Sequence, residues 1–226
     1  MSAALAYRRA GVLRYAAIQF VVLTAIAMAL YAGGTWWDAS TTRYHITGNF
    51  LSDLGATHAF SGRTNYVSSV LFAIALVTIG GALVAFAWTW RGFAFGLQRA
   101  RWAGHASAAF GTASGVAFIG IALAPFDVAL TLHNAMVIAA FALLLCYVAC
   151  MTLVMWRNQV SRTWLAANVA YLVLVLGYVA LVLFGPRLGT EEGHRIQVIG
   201  QKIIAYGSMV HVIYLATATR RATRGQ

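Results

Sequence analysis

The sequence predicts an all-α membrane protein, a single domain over residues 1–226 built as a bundle of six transmembrane helices. Both termini are expected to be cytoplasmic, and the first extracytoplasmic connection long and structured. The chain is 61% hydrophobic and only 9% charged, with a mean hydropathy of +0.75. A water-exposed surface cannot be built from so few charges, because soluble domains carry about a quarter. Six apolar stretches, near 13–32, 66–90, 103–124, 132–156, 163–185 and 195–218, are each long enough to cross a ~30 Å hydrocarbon core, which takes roughly 20 helical residues. Alternate connections hold Arg8, Arg9 and Arg14; Arg91, Arg99 and Arg101; Arg157 and Arg162; and Arg220, Arg221 and Arg224, eleven of the sixteen basic residues. Short loops rich in Lys and Arg stay in the cytoplasm, which sets the orientation.

The first stretch has Arg8, Arg9 and Arg14 at its start, as a signal peptide would, but its largely apolar run from Val12 to Ala32 exceeds a typical leader core and reads as a helix. The connection from Gly33 to Asn65 is next, and about thirty residues without a span are uncommon unless they fold onto something functional. Trp36, Trp37 and Tyr44 are predicted to anchor its first half at the headgroup level. Gly48 to Gly55 reads as a short helix with Asn49 as its cap, Phe50, Leu51 and Leu54 as an apolar face, and Gly55 as its end. Gly80-Gly81 in the second span and Gly104, Ala108, Gly111 and Gly115 in the third predict close helix packing. The two prolines, Pro125 and Pro186, stop the third and fifth helices. Cys146 and Cys150 share one face of the fourth span and read as structural thiols. Glu191 and Glu192 follow Thr190 in the first turn of the sixth, where negative charge suits the helix dipole.

The net charge of +11 is thus mostly topological. The arginines lie in twos and threes along one rim rather than in a stripe, so nucleic acid is excluded as a partner and membrane lipid is expected. All five acidic residues and four histidines fall at the opposite end. Asn49, Ser52, Asp53 and His58 come from the long connection, Asp127, His133 and Asn134 from the start of the fourth span, and His194, Gln197, Gln201 and Lys202 from the sixth. His194, Gln197, Gln201, Ser208 and His211 recur at helical spacing, and such a stripe must face the bundle interior because an unsatisfied polar group in hydrocarbon is costly. Lys202 lies about 12 Å below His194, so a carboxylate partner, Asp53 or Asp127, is expected.

Asn49 to Gly55, Ala124-Pro125-Phe126-Asp127 with Leu132-His133-Asn134, and Gln201-Lys202 resemble the bacterial integral membrane family of unknown function DUF998, over essentially the whole chain. The resemblance implies a six-span fold in a bacterial cytoplasmic membrane and leaves the activity open. A looser likeness runs to the alkaline ceramidase-like membrane hydrolase superfamily, which holds zinc with Ser, Asp and His. Ser52, Asp53, His133 and His194 are the positions that match it, although there are six spans rather than seven and no His-x-x-x-His pair in the last.

Two main functions compete. In the first, the outer end is the site of a lipid-modifying hydrolase. Zinc, if used, would be held by His133, His194 and His58 with Asp53 or Asp127; without it, Asp53 would act as general base and Lys202 and His194 would stabilise the oxyanion. Ser52 joins Asp53 and Lys202 as a catalytic candidate, and Asn49, Asp127, Asn134, Gln197 and Gln201 are candidates for binding substrate. In the second, the same cluster belongs to a non-catalytic lipid-binding or assembly protein and locks the bundle. A small transporter is a third reading, weakened by the absence of inverted repeats.

Overall fold

A computed structural model describes residues 3–96 and 100–224 and contains six long helices: α1 (Ala3–Ala29), α2 (Tyr66–Gly96), α3 (Arg101–Leu123), α4 (Phe126–Arg157), α5 (Arg162–Phe184) and α6 (Glu191–Arg224). Each is long and apolar enough to cross a membrane, and the described residues hold no strand. Consecutive helices pack side by side and α6 closes on α1, so the six form a ring in chain order. Arg220 donates to the Tyr7 hydroxyl, which brings both termini to the same end of the bundle. Arg8, Arg9, Arg101, Arg157, Arg162 and Arg221 belong to the helix ends on that side. Arg99 and the side chains of Arg91 and Arg224 lie outside the described residues.

The helices overrun the apolar stretches from which they were predicted. α1 begins at Ala3, because hydropathy marks only the hydrocarbon-crossing part while backbone hydrogen bonding continues past it. α4 restarts directly after Pro125 at Phe126 and breaks at Ala129 (φ −140°, ψ 55°), where a loop was predicted. Proline supplies a helix-compatible φ at a position that needs no N–H donor, so a new helix can begin beside it. The small-residue contacts occur at Gly80, Gly111 and Gly115, whereas Gly81 is exposed and faces open space because it lies on the other side of α2. A Cβ placed on Gly80 would lie 2.6 Å from the Gly115 carbonyl oxygen, so α2 and α3 cross almost backbone to backbone.

The first connection is a structured roof. Its 3₁₀ turn, Leu51–Gly55, touches α1, α2, α4 and α6, which places it over the middle of the ring. Leu51 and Leu54 are buried beneath it, as their pattern predicted. Asn49 is not the cap. Phe50 occupies that position, and the Asp53 carboxylate accepts its N–H at 2.9 Å, closing the turn from within. Trp36 and Trp37 stay exposed, but Tyr44 is buried in the roof rather than anchored at the surface, because its hydroxyl donates to the carbonyls of Asn49 and Phe50.

Candidate functional site

Asn49 is the hub of the roof. Completely buried, its amide oxygen accepts the His45 N–H at 2.9 Å, and its nitrogen donates to Gly34 O at 2.9 Å and Asp53 Oδ2 at 3.1 Å. Its backbone carbonyl accepts from the Tyr44 hydroxyl and from Lys202 Nζ. The ammonium also lies 5.2 Å from the centre of the Tyr44 ring, a cation–π contact. Asp53 and Lys202, expected to pair, therefore meet through Asn49 rather than directly. The roof offers the ammonium a carbonyl and a ring face at the depth where a carboxylate was predicted. Burial pushes the Asp53 carboxyl up to about 7, against the pull of hydrogen bonds from Asn49 and Phe50 and of the Lys202 charge.

Side chains of α6 hold the roof from below. Gln201 Oε1 accepts the Leu51 N–H at 2.6 Å, and the His194 Nε2–H donates to Gly48 O at 3.0 Å. The His194 ring packs against Phe50 and Trp37. Gln197 Nε2 donates to Leu181 O at 2.8 Å, and Ser208 receives the Tyr171 hydroxyl at 2.9 Å while the His211 ring stacks on Tyr171. The polar stripe of the sixth span thus faces inward along its whole length, as its spacing predicted.

Under the roof lies a vestibule of about 530 Å³ open to the centre of a water molecule, walled by α4, α5 and the head of α6. Ser52, Asp53, His133, Asn134, His194, Gln197 and Gln201 all line it. Its rim on α4 includes Leu130 and Ile138, both exposed on the outer surface of the bundle. His133 donates from Nδ1 to Ala124 O at 2.8 Å, which leaves Nε2 as its lone-pair nitrogen. Asn134 is exposed at the wall. Arg187 also lines the vestibule, and the sequence reading, which used it only for topology, missed it. The available signal was its place directly after Pro186, where α5 has ended and the chain turns over the cavity.

Two groups of predicted residues do not join this cluster. Asp127 points into the roof, where its carboxylate accepts the N–H groups of Thr57 and His58 at 3.0 Å each and the Thr57 hydroxyl at 2.6 Å. It tethers the first connection to α4 and neither caps its helix nor lines the vestibule. His58 is exposed beside Thr57, with its ring near Tyr66, so the set His58, His133 and His194 does not converge as zinc ligands. Among the described residues no three His, Cys, Asp or Glu side chains are placed to hold a metal ion. The His58 backbone is held at the α4 tether by Asp127, but its exposed ring turns outward beside Tyr66. Ser52 is in the wall, but its polar neighbour is Gln201 Nε2 at 3.5 Å rather than a general base.

Below the vestibule a second, narrower cavity runs down the axis of the ring and is lined from all six helices. Ser52, Val137 and Gln201 line both spaces and form the neck between them. The lower chamber is walled mainly by apolar side chains such as Leu13, Phe86, Leu144, Met151 and Leu215. Comparison with protein-family models, curated proteins and solved structures finds no match to this chain.

Proposed function

We propose that this protein binds an anionic amphiphile drawn from the extracytoplasmic leaflet, with the headgroup held in the vestibule. The observation that carries this reading is the composition of that cavity. Arg187, the amides of Asn134, Gln197 and Gln201, and two imidazoles line a space whose rim is apolar and lies on the outer surface of the bundle. A guanidinium beside amide and imidazole groups, with the one carboxyl of the lining, Asp53, engaged by Asn49 and the Phe50 N–H, suits a phosphate or carboxylate. The side carrying the arginine-rich helix ends is the cytoplasmic one on this reading, which puts the roof outside. Membership of the DUF998 family belongs to the same proposal, supported by the positions of its motif residues: Asn49 to Gly55, Asp127, His133, Asn134, Gln201 and Lys202 all lie in the roof, its tethers or the vestibule wall.

Binding fits better than hydrolysis because Asp53 and Lys202, the groups that would drive bond cleavage, are committed to the roof. Hydrolysis keeps one supporting observation, the presence of Ser52 and the lone-pair nitrogen of His133 in the same wall. The test is retention of dodecyl phosphate against dodecyl trimethylammonium by protein in an uncharged maltoside micelle, read by native mass spectrometry. The phosphate should be retained selectively and Arg187→Gln should abolish the selectivity. Equal retention of both probes by the natural sequence would sink the proposal, and release of inorganic phosphate from the bound probe would favour hydrolysis over binding.

A further inference from the structure

The chamber beneath the neck has dimensions and a lining that the vestibule does not explain. From Gln201 at the neck to Leu215 near its floor is fourteen helical residues, about 21 Å along α6, which exceeds the ~15 Å half-thickness of a hydrocarbon core. Its volume is small, about 110 Å³, for a lining that extends from Ser52 and Gln201 to Leu215, so it suits a slender occupant such as a single hydrocarbon chain. Crossing helices pack without voids where nothing has to be admitted, and a bore reaching every helix of a ring is not a packing defect at one contact.

One hydroxyl among the described residues that line this bore has no partner. Tyr147 lines it, is only 4% exposed, and its hydroxyl has no hydrogen-bond partner. It stands ten residues below Val137 on α4, about 15 Å beneath the neck. The neighbouring hydroxyls are satisfied, since Tyr171 donates to Ser208, whose own hydroxyl donates to Ile204 O at 2.6 Å. The hydroxyl oxygen itself has almost no accessible surface, so a partner reaches it once an occupant of the bore moves the side chains packed over it.

We propose that the chamber takes the tail of the amphiphile whose headgroup occupies the vestibule, threaded past Ser52 and Gln201, and that Tyr147 donates to an oxygen carried in the distal half of that tail. This rests on the headgroup reading and adds the ligand class, a long-chain anionic amphiphile with an oxygenated tail. Ala205 lines the bore one turn below Gln201, so a large side chain there obstructs the path without touching the vestibule wall.

Photo-crosslinking with a hexadecyl phosphate that carries a diazirine at the tail end tests the path. In the natural sequence, adducts are expected on chamber residues such as Met151 and Leu215, and Ala205→Phe should move them out of the chamber. Adducts confined to outward-facing positions such as Val173 and Val210 in the natural sequence would overturn the chamber inference whether or not the variant folds. If those adducts still require Arg187, the headgroup reading survives alone; if they are indifferent to Arg187→Gln, both readings fall. Competition by plain hexadecyl phosphate and its analogue with a keto group in the distal half of the tail tests the deep contact. The keto analogue should compete about tenfold better in the natural sequence and show no advantage in Tyr147→Phe, the loss of one hydrogen bond to a neutral acceptor. Equal competition in the natural sequence, or an advantage kept in Tyr147→Phe, would overturn the role given to Tyr147.

Discussion

Replacing Asn49 by Ala should unlatch the roof, and the cost follows from the bonds it removes. The substitution deletes three side-chain hydrogen bonds at a completely buried position, leaving the His45 N–H and the Gly34 carbonyl without these partners and Asp53 with one donor fewer. Each buried polar group left unsatisfied costs about 1–3 kcal/mol, and neighbouring losses do not add fully, so about 3–5 kcal/mol is expected in all. The assay is equilibrium unfolding in mixed micelles, followed by the fluorescence of Trp36 and Trp37, which lie in the same connection. Ile46→Ala, at an exposed position three residues away, is the control and should stay within about 0.5 kcal/mol of the natural sequence. A loss of less than about 1 kcal/mol for Asn49→Ala would refute the view that this residue organises the roof.

Three further outcomes are expected. Lys202→Met should cost about 1.5–3 kcal/mol through its charge-assisted bond to the Asn49 carbonyl, and less when Asp53→Asn has already removed the charge it offsets; strict additivity of the two would show that the indirect arrangement carries no coupling. The carboxyl of Asp53 is raised from 3.8 to about 7 in the folded state, so the folded chain binds the extra proton, and the stability this gives is complete below pH 3.8 and lost as pH rises through about 7. Unfolding of the natural sequence should therefore become easier between about pH 5 and pH 8, with Asp53→Asn flatter over that range; a rise in stability with pH attributable to Asp53 would contradict the assignment. Asp127→Ala should loosen the roof at its α4 tether, costing about 1–2 kcal/mol for a partly solvated carboxylate and speeding hydrogen exchange at the Thr57 and His58 amides; unchanged exchange there would remove the tether from the account.

The sequence by itself determined the six helices, their alternation and the inward face of the sixth. Hydropathy and helical period act over twenty neighbouring residues, and a nearly uncharged chain leaves those signals little competition. It also located the polar end, because acidic and imidazole side chains can gather only where the backbone leaves hydrocarbon. Which of those groups meet was decided by the tertiary structure alone. Gln201 reaches Leu51 across 150 positions and Lys202 reaches Asn49 across 153, and no local pattern encodes a contact of that range. The ring closure of α6 on α1 and the seating of a five-residue turn over its axis place Asn49 between Asp53 and Lys202, turn Asp127 into a tether, leave the His58 ring facing outward beside Tyr66, and bring Arg187 to the vestibule. The chamber and the solitary Tyr147 hydroxyl arise in the same way, since a space enclosed by six helices exists only once all six are in place.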